Sequence, residues 1–328
     1  MMNIGTISTS FITDEFITAL KEEGSFKLAA VYSRGLEKAQ EFADKHNAGA
    51  YFTDLEAMAK SDLIDCIYIA SPNVLHFEHT LLFLKNKKHV ICEKPIFSNI
   101  KEFKQAHEVA KENNVFLFEA MRNLPVPGFK VLKDNLNRCG PIRHVTLNYA
   151  KYSSRYTNVL EGEEPNIFSL NYSGGALVDL GVYPLTVAVA LFGKPINTTY
   201  YPVTIRTGVD GSGSLILEYE DFLCTILCSK ISTSHNPSEI QGEDGTFTIN
   251  DMGSLSKITF QANHTNELDQ LLDGYKHHDM IFEIESFYQI IKNNDQTKYK
   301  ELTEISQTVL EITETSRKEN NIIYNVEK

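Results

Sequence analysis

The chain has 328 residues, 42% hydrophobic and 23% charged, and at roughly 100–200 residues per domain that length accommodates about two domains with cores of their own. Its 31 Lys and Arg stand against 43 Asp and Glu, a formal net charge of −12, which argues against broad binding to nucleic acid or an anionic membrane, since both need dense cationic surface. Five cysteines (Cys66, Cys92, Cys139, Cys224 and Cys228), odd in number and without a C-x-x-C pair, fit free thiols in a reducing compartment.

The first residues carry no cationic start before an apolar run, and no stretch is expected to reach the ~20 apolar residues of a membrane span, so the expectation is a soluble, cytoplasmic protein. Met2–Ile7 reads as a strand and is followed by a helical pattern through Phe16, Ile17 and Leu20. Phe26–Tyr32 is the next strand and Leu36–His46 the next helix. Ile64–Ala70 is nearly continuous in apolar character, as befits a strand covered on both faces. Helix His76–Lys85, strand His89–Cys92, helix Lys101–Glu112 and strand Val115–Phe118 continue the alternation. Strand–helix alternation with short connectors implies parallel pairing, hence a doubly wound α/β domain over 1–118.

The rhythm then changes, and 119–328 reads as a second domain. A helix near Pro127–Asn137 leads to a strand at Ile142–Tyr149, a polar loop, and an apolar helix from about Ala176 to Phe192. Strands follow one another directly at about Thr198–Arg206, Gly213–Tyr219, Phe222–Ser229, Thr246–Ile249 and Ser256–Phe260. This predicts an α+β domain with an open-faced, mainly antiparallel sheet. Helices near Asp279–Ile291 and Glu301–Glu319 close the chain.

Between the first strand and helix, a nucleotide-binding domain ordinarily carries G-x-G-x-x-G. Here the segment is Ser8-Thr9-Ser10-Phe11-Ile12-Thr13, with small hydroxyl residues for glycines. An ordinary strand-to-helix turn explains it equally well. Ser8, Ser10, Phe11 and Ile12 stay candidates because a helix N-terminus offers N–H groups to phosphate, and hydroxyls donate to it if the turn avoids positive φ. The second strand ends in Tyr32-Ser33-Arg34-Gly35, with no acid to accept a ribose 2′-hydroxyl. Ser33 and Arg34 suit a 2′-phosphate, so NADP is favoured over NAD.

Three further motifs are Ser71-Pro72-Asn73-x-x-His76, Cys92-Glu93-Lys94-Pro95, and Gly174-Gly175-Ala176-Leu177-Val178-Asp179-Leu180-Gly181-Val182-Tyr183. Together, over essentially the whole chain, they resemble the Gfo/Idh/MocA oxidoreductase family. The resemblance implies an N-terminal Rossmann domain and a C-terminal domain with an open-faced sheet, and, as in related members, self-association through that sheet. It implies that Ser71, Pro72, Asn73 and His76 line the cofactor groove, and that Glu93 and Lys94 lie beside the nicotinamide ribose. It makes Lys94 the active-site lysine and puts Asp179 and Tyr183 at the other catalytic positions. Tyr183 stands where His is commonest, as in branches similar to glucose–fructose oxidoreductase and dihydrodiol dehydrogenase. Those branches carry an aromatic residue and an arginine where this chain has Arg122 and Leu124.

Oxidising a secondary alcohol needs a hydride acceptor and a base for the hydroxyl proton. A tyrosine with an ordinary pKa of ~10 needs a cation to serve as that base, and Lys94 is the expected one. Asp179 is then expected to orient the lysine or a substrate hydroxyl. Packing and capping roles are the plain alternatives for Tyr183 and Asp179. His277-His278-Asp279 reads as a helix start with solvated histidines, Cys224 and Cys228 as buried thiols, and no metal is expected. Arg155 and Tyr156 are candidate substrate contacts on a loop. Two functions follow: an NAD(P)-dependent oxidoreductase acting on a small sugar, polyol or diol, or a non-catalytic dinucleotide-binding sensor on the same fold. Either is expected to bind a small molecule.

Overall fold

The structure, a computed structural model, describes residues 1–265 and 267–328. The backbone forms two compact units, Met1–Met121 with His278–Glu304 and Arg122–His277 with Ile305–Lys328.

In the first unit six strands form one parallel sheet: β1 (Met2–Ile7), β2 (Phe26–Tyr32), β3 (Ala50–Phe52), β4 (Cys66–Ile69), β5 (His89–Glu93) and β6 (Leu117–Ala120). Helices α1 (Phe11–Glu23), α2 (Leu36–His46), α3 (Leu55–Lys60), α4 (His76–Lys85) and α5 (Ile100–Glu112) connect them. The order β3-β2-β1-β4-β5-β6 reverses direction between β1 and β4, and ligands of such sheets bind outside the strand ends at that reversal. Cys66, Ile67, Tyr68 and Ile69 are all 0% exposed, which is why the central strand β4 reads as an unbroken apolar run. β3 and α3, three and six residues long, are additional to the sequence expectation, as is a 3₁₀ turn at Asn73–Leu75.

The second unit contains α6 (Pro127–Asn135), β7 (Ile142–Ala150), α7 (Tyr156–Leu160), a π-helical turn at Leu177–Gly181 and α8 (Val182–Phe192). Strands β8 (Asn197–Thr204), β9 (Asp210–Glu218), β10 (Leu223–Ser229), β11 (Ser238–Gly242), β12 (Gly245–Ile249), β13 (Lys257–Ala262) and β14 (Leu268–Asp273) complete its sheet. The order is β14-β13-β12-β11-β7-β10-β9-β8, with β7 and β10 parallel and the other pairs antiparallel. One face is a core: Val145, Leu147, Leu215, Leu217, Cys224, Ile226 and Ile240 are at most 1% exposed and pack toward the Leu177–Phe192 segment. The opposite face carries Thr146, Thr225, Thr246, Thr248 and Thr259 between the exposed Tyr201, Val203, Leu223 and Leu227. It is therefore a mixed face, threonines alternating with exposed apolar side chains.

Leu170–Phe192, 23 residues long, contains an 18-residue window of mean hydropathy 1.8 that passes for a span by length and composition. That window is 72% buried inside the fold, and the segment is broken into distinct helical pieces, as suits a core helix.

The terminal helices divide differently from a 118/119 boundary. Helix α9 (Asp279–Asn293) packs Ile284, Phe287 and Ile291 with Phe16, Leu20 and Phe118 in the core of the first unit. Helix α10 (Gln296–Glu319) begins in the first unit and ends in the second. His278 caps α9 by accepting from the Met280 N–H and lies 2.6 Å from Glu15, and no metal-binding group of three ligands occurs among the described residues.

Burial pulls His76 and His107 of the first unit down to a pKa of about 4 from an ordinary 6.5. The unfolded chain binds their protons first, so their contribution to stability is complete above pH 6.5 and is lost as pH falls toward 4. Each is worth about 3 kcal/mol over that range. The urea midpoint is expected to fall between pH 7 and pH 4.5, with a shallower slope in His107→Phe; an unchanged slope contradicts this assignment.

Candidate active site

The first unit brings Ser8, Ser33, Ser71 and Glu93 to the carboxyl ends of neighbouring parallel strands, the position at which such sheets bind nucleotides. The Ser10 side chain makes no capping bond to the start of α1 and instead lies 3.2 Å from the Thr13 hydroxyl. The opening N–H groups of the helix thus point to the loop without a side-chain acceptor, a ready anion site. Phe11 is 76% exposed beside them, and Ile12 is half-buried against the core. Ser33 is half-buried, while Arg34 is exposed and without an ion-pair partner among the described residues. These groups fit a dinucleotide phosphate and a 2′-phosphate.

The condition set on the loop fails at one position. Ser8 has φ 106°, a region that L side chains enter only with strain, and its Oγ accepts a 3.1 Å bond from the Ser10 N–H. Ser8→Gly is therefore expected to raise unfolding free energy by about 1 kcal/mol, relief of strain outweighing the extra chain entropy. Urea denaturation measures it, and a destabilised variant would contradict it.

His76 is held by the loops it joins. It is 1% exposed, with Nδ1 3.0 Å from the Pro95 carbonyl and Nε2 2.8 Å from the Ser71 carbonyl. The buried ring lies between the loops after β4 and β5 and, neutral, donates its one N–H to one of the two carbonyls. Ser71 also bonds His79 through its hydroxyl at 3.0 Å, and Asn73 opens a short 3₁₀ turn after Pro72. Glu93 is 8% exposed and accepts a 2.5 Å bond from the Tyr68 hydroxyl, whose ring stacks on Phe16 at 3.6 Å. Burial first, and the Glu93 charge second, hold the Tyr68 phenol far above its usual pKa, so it remains a donor. Glu93 is thereby fixed from behind, and the half-buried Lys94 follows it directly.

In the second unit Asp179 lies in the π-helical turn and Tyr183 in the first turn of α8. A π-turn closes i→i+5, so it takes more residues per turn than the 3.6 of an α-helix, and a spacing of four comes closer to one full turn. The two positions therefore share a face, as positions four apart also do in an ordinary α-helix. Tyr183 is 6% exposed; the Tyr149 ring packs edge-on at 5.3 Å and the Arg122 guanidinium lies 5.7 Å from its centroid. Asn123, fully buried, donates to the carbonyls of Tyr183 and Met252 at 3.0 Å each.

The start of that helix is built around Asp210, 0% exposed, whose carboxylate accepts from the Leu177 N–H at 2.7 Å and the Tyr200 hydroxyl at 2.6 Å. Burial raises its pKa. A Cβ on Gly175, at φ 139°, would stand 2.2 Å from Asp210 Oδ1, so the glycine makes room for this cap. The Tyr324 hydroxyl donates to the Gly174 carbonyl at 3.0 Å, beneath the buried Arg317–Glu327 pair.

Asp179 is held by a residue that the motifs do not mark. The ammonium of Lys230, immediately after β10, bonds Asp179 Oδ2 and lies 5.3 Å from the Phe168 ring centroid. The alternation of β10 carries the signal: position 230 falls on the inward face with Cys224, Ile226 and Cys228. Cys224 and Cys228 are buried, 0% and 2% exposed, as thiols. Arg155 helps line an open polar hollow with Asn158, Glu163, Glu164, Pro165 and Asn166, and Tyr156 packs on Phe168 at 5.7 Å.

Residues 2–121 match the model of an oxidoreductase family with an NAD-binding Rossmann fold, and residues 135–248 match the GFO/IDH/MocA C-terminal domain. The chain is 41% identical to scyllo-inositol 2-dehydrogenase (NADP(+)) IolU of Bacillus subtilis, over 99% of this chain and 98% of that protein. It is 30% identical to trans-1,2-dihydrobenzene-1,2-diol dehydrogenase of Xenopus tropicalis over 77% of each. Among solved structures, the 3-ketoreductase KijD10 of Actinomadura kijaniata, in complex with TDP-benzene and NADP, superimposes with a TM-score of 0.83 at 21% identity, covering 96% of each chain, a likeness of fold.

Proposed function

Because this chain belongs to the Gfo/Idh/MocA oxidoreductase family, we propose that it is an NADP-dependent dehydrogenase moving hydride between the nicotinamide and a hydroxyl-bearing carbon of a small polyol or diol. The observation that carries the reading is similarity along nearly the full length, 41% identity, to an NADP-linked inositol dehydrogenase. The uncapped start of α1 and the exposed Arg34 support the cofactor part. Asp179 and Tyr183 on one face support the alcohol part, because oxidising a polyol or diol needs a group to take the proton of the reacting hydroxyl and an acceptor for a neighbouring hydroxyl to orient it.

The nicotinamide, when bound, supplies the hydride acceptor or donor. The α1 N-terminus with Ser8, Ser10, Phe11 and Ile12 takes the pyrophosphate region, and Ser33 with Arg34 takes the 2′-phosphate. Ser71, Pro72, Asn73 and Glu93 line the cofactor, with His76 holding their loops. Lys94, Asp179 and Tyr183 are the catalytic residues: Tyr183 exchanges the proton of the hydroxyl being oxidised, Asp179 accepts from a neighbouring hydroxyl of the substrate and so orients it, and Lys94 supplies the stabilising cation. The compartment is cytoplasmic. The open sheet face carrying Tyr201 and Leu223 pairs two copies of the chain; light scattering reads this, a monomer at micromolar concentration contradicting it.

The test is appearance of reduced-nicotinamide absorbance with NADP and a panel of scyllo-inositol, myo-inositol and trans-dihydrobenzene-1,2-diol. Turnover of a panel member is the expected result. Tight NADP binding without turnover of any would favour a sensor.

A further inference from the structure

A lysine side chain only 3% exposed is costly to bury, and Lys230 is held there from several directions. Its N–H donates to the Gly211 carbonyl at 2.8 Å and its carbonyl accepts from the Ser153 N–H at 2.9 Å, so its backbone is pinned between β9 and the loop after β7. Its ammonium bonds Asp179 beside the Phe168 ring. The second unit offers its own comparison. In the Arg317–Glu327 pair both side chains are shut away, 1% and 4% exposed, as in a staple that only holds the fold. In the Lys230–Asp179 pair the cation is buried while the carboxylate keeps 29% of its side chain exposed. A purely structural staple has no use for that asymmetry. A buried ammonium beneath a partly exposed carboxylate fixes one oxygen from behind and favours the ionised, accepting form of the acid.

We propose that Lys230 is a positioning residue of the active site, holding Asp179 as an oriented carboxylate that accepts a hydrogen bond from a substrate hydroxyl neighbouring the one that is oxidised. The proposal rests on the functional reading above. Asp179 then acts as an acceptor throughout, and the proton lost by the alcohol goes to Tyr183. A substrate with a hydroxyl placed for Asp179 gains from the arrangement; the cofactor does not, because Lys230 acts only through the carboxylate.

The experiment compares the full chain with Lys230→Met, Lys230→Ala and Asp179→Asn, using scyllo-inositol and trans-dihydrobenzene-1,2-diol as probes with NADP. Lys230→Met is expected to lower kcat/KM by about 10–100-fold, with the Kd for NADPH unchanged within about twofold. Asp179→Asn is expected to lose at least as much, and the double variant little more than either. Methylammonium or ethylammonium added to Lys230→Ala is expected to restore part of the activity, which a role confined to stability would not produce. Undiminished kcat/KM in Lys230→Met, or additive losses in the double variant, would overturn the proposal. Failure of both Lys230 variants to fold, read by circular dichroism, would make Lys230 a staple like Arg317 and overturn it too. If the unaltered protein turns over neither probe, the functional reading itself fails; activity that is indifferent to Lys230 removes this inference alone.

Discussion

Tyr183→Phe is expected to lower kcat by roughly 10²–10⁴, the range over which a positioned acid–base group contributes, while the Kd for NADP(H) stays nearly unchanged. The ring is 6% exposed and lodged against Tyr149, and phenylalanine preserves that packing, so the loss reports the hydroxyl. Asn123 fixes the Tyr183 carbonyl at 3.0 Å, and the Asp210 cap fixes the start of the helix, so neither anchor depends on the phenol. Thermal unfolding of the variant within a few degrees of the parent is the control. Lys94→Ala is expected to do at least as much harm and also to weaken cofactor binding. Steady-state kinetics with saturating NADP reads both. Full activity in Tyr183→Phe would reject Tyr183 as the acid–base group and leave Lys94 as the candidate.

Arg34→Ala is expected to weaken NADP(H) by about 10–150-fold and leave NAD(H) affinity close to its starting value. The size follows from a charge-assisted contact to phosphate worth about 1.5–3 kcal/mol. The selectivity follows from position: β2 ends at Tyr32, and Ser33 and Arg34 follow with no carboxylate to accept a ribose 2′-hydroxyl. Arg34 is exposed, so its truncation costs the fold little. Calorimetric titration with both cofactors measures the difference. Equal losses for NADP and NAD would show that Arg34 serves neither phosphate in particular.

The parallel sheet was legible because its strands are short, apolar and separated by helical spacing; β1, β2, α2 and α4 have the bounds that periodicity alone predicts. The short β3 and α3 carry too few residues to establish a period. In the second unit β11 (Ser-Glu-Ile-Gln-Gly) and β14 (Leu-Asp-Gln-Leu-Leu-Asp) are too polar to read as strands, and the parallel β7–β10 pairing joins strands far apart in the sequence. The placement of α9 was hidden because its apolar face is visible in sequence but the partner of that face is not. At the site, Lys94, Asp179 and Tyr183 are marked by motifs, whereas the π-turn and Asp210 arise from tertiary packing around Gly175. Lys230 was legible in principle, as a lysine on the buried parity of a strand, a local conflict that natural sequences tolerate chiefly where function needs it.

The most direct test of the central claim follows the hydrogen itself. The protein is incubated with NADP and scyllo-inositol deuterated at its ring carbons, and the reduced cofactor is examined by mass spectrometry. Hydride transfer from the hydroxyl-bearing carbon predicts NADPH carrying one deuterium from the substrate, formed at a rate that falls sharply in Tyr183→Phe. Tight binding of NADP with no labelled cofactor from this or any other deuterated polyol or diol of the panel would contradict the account and leave a dinucleotide-binding protein without dehydrogenase chemistry.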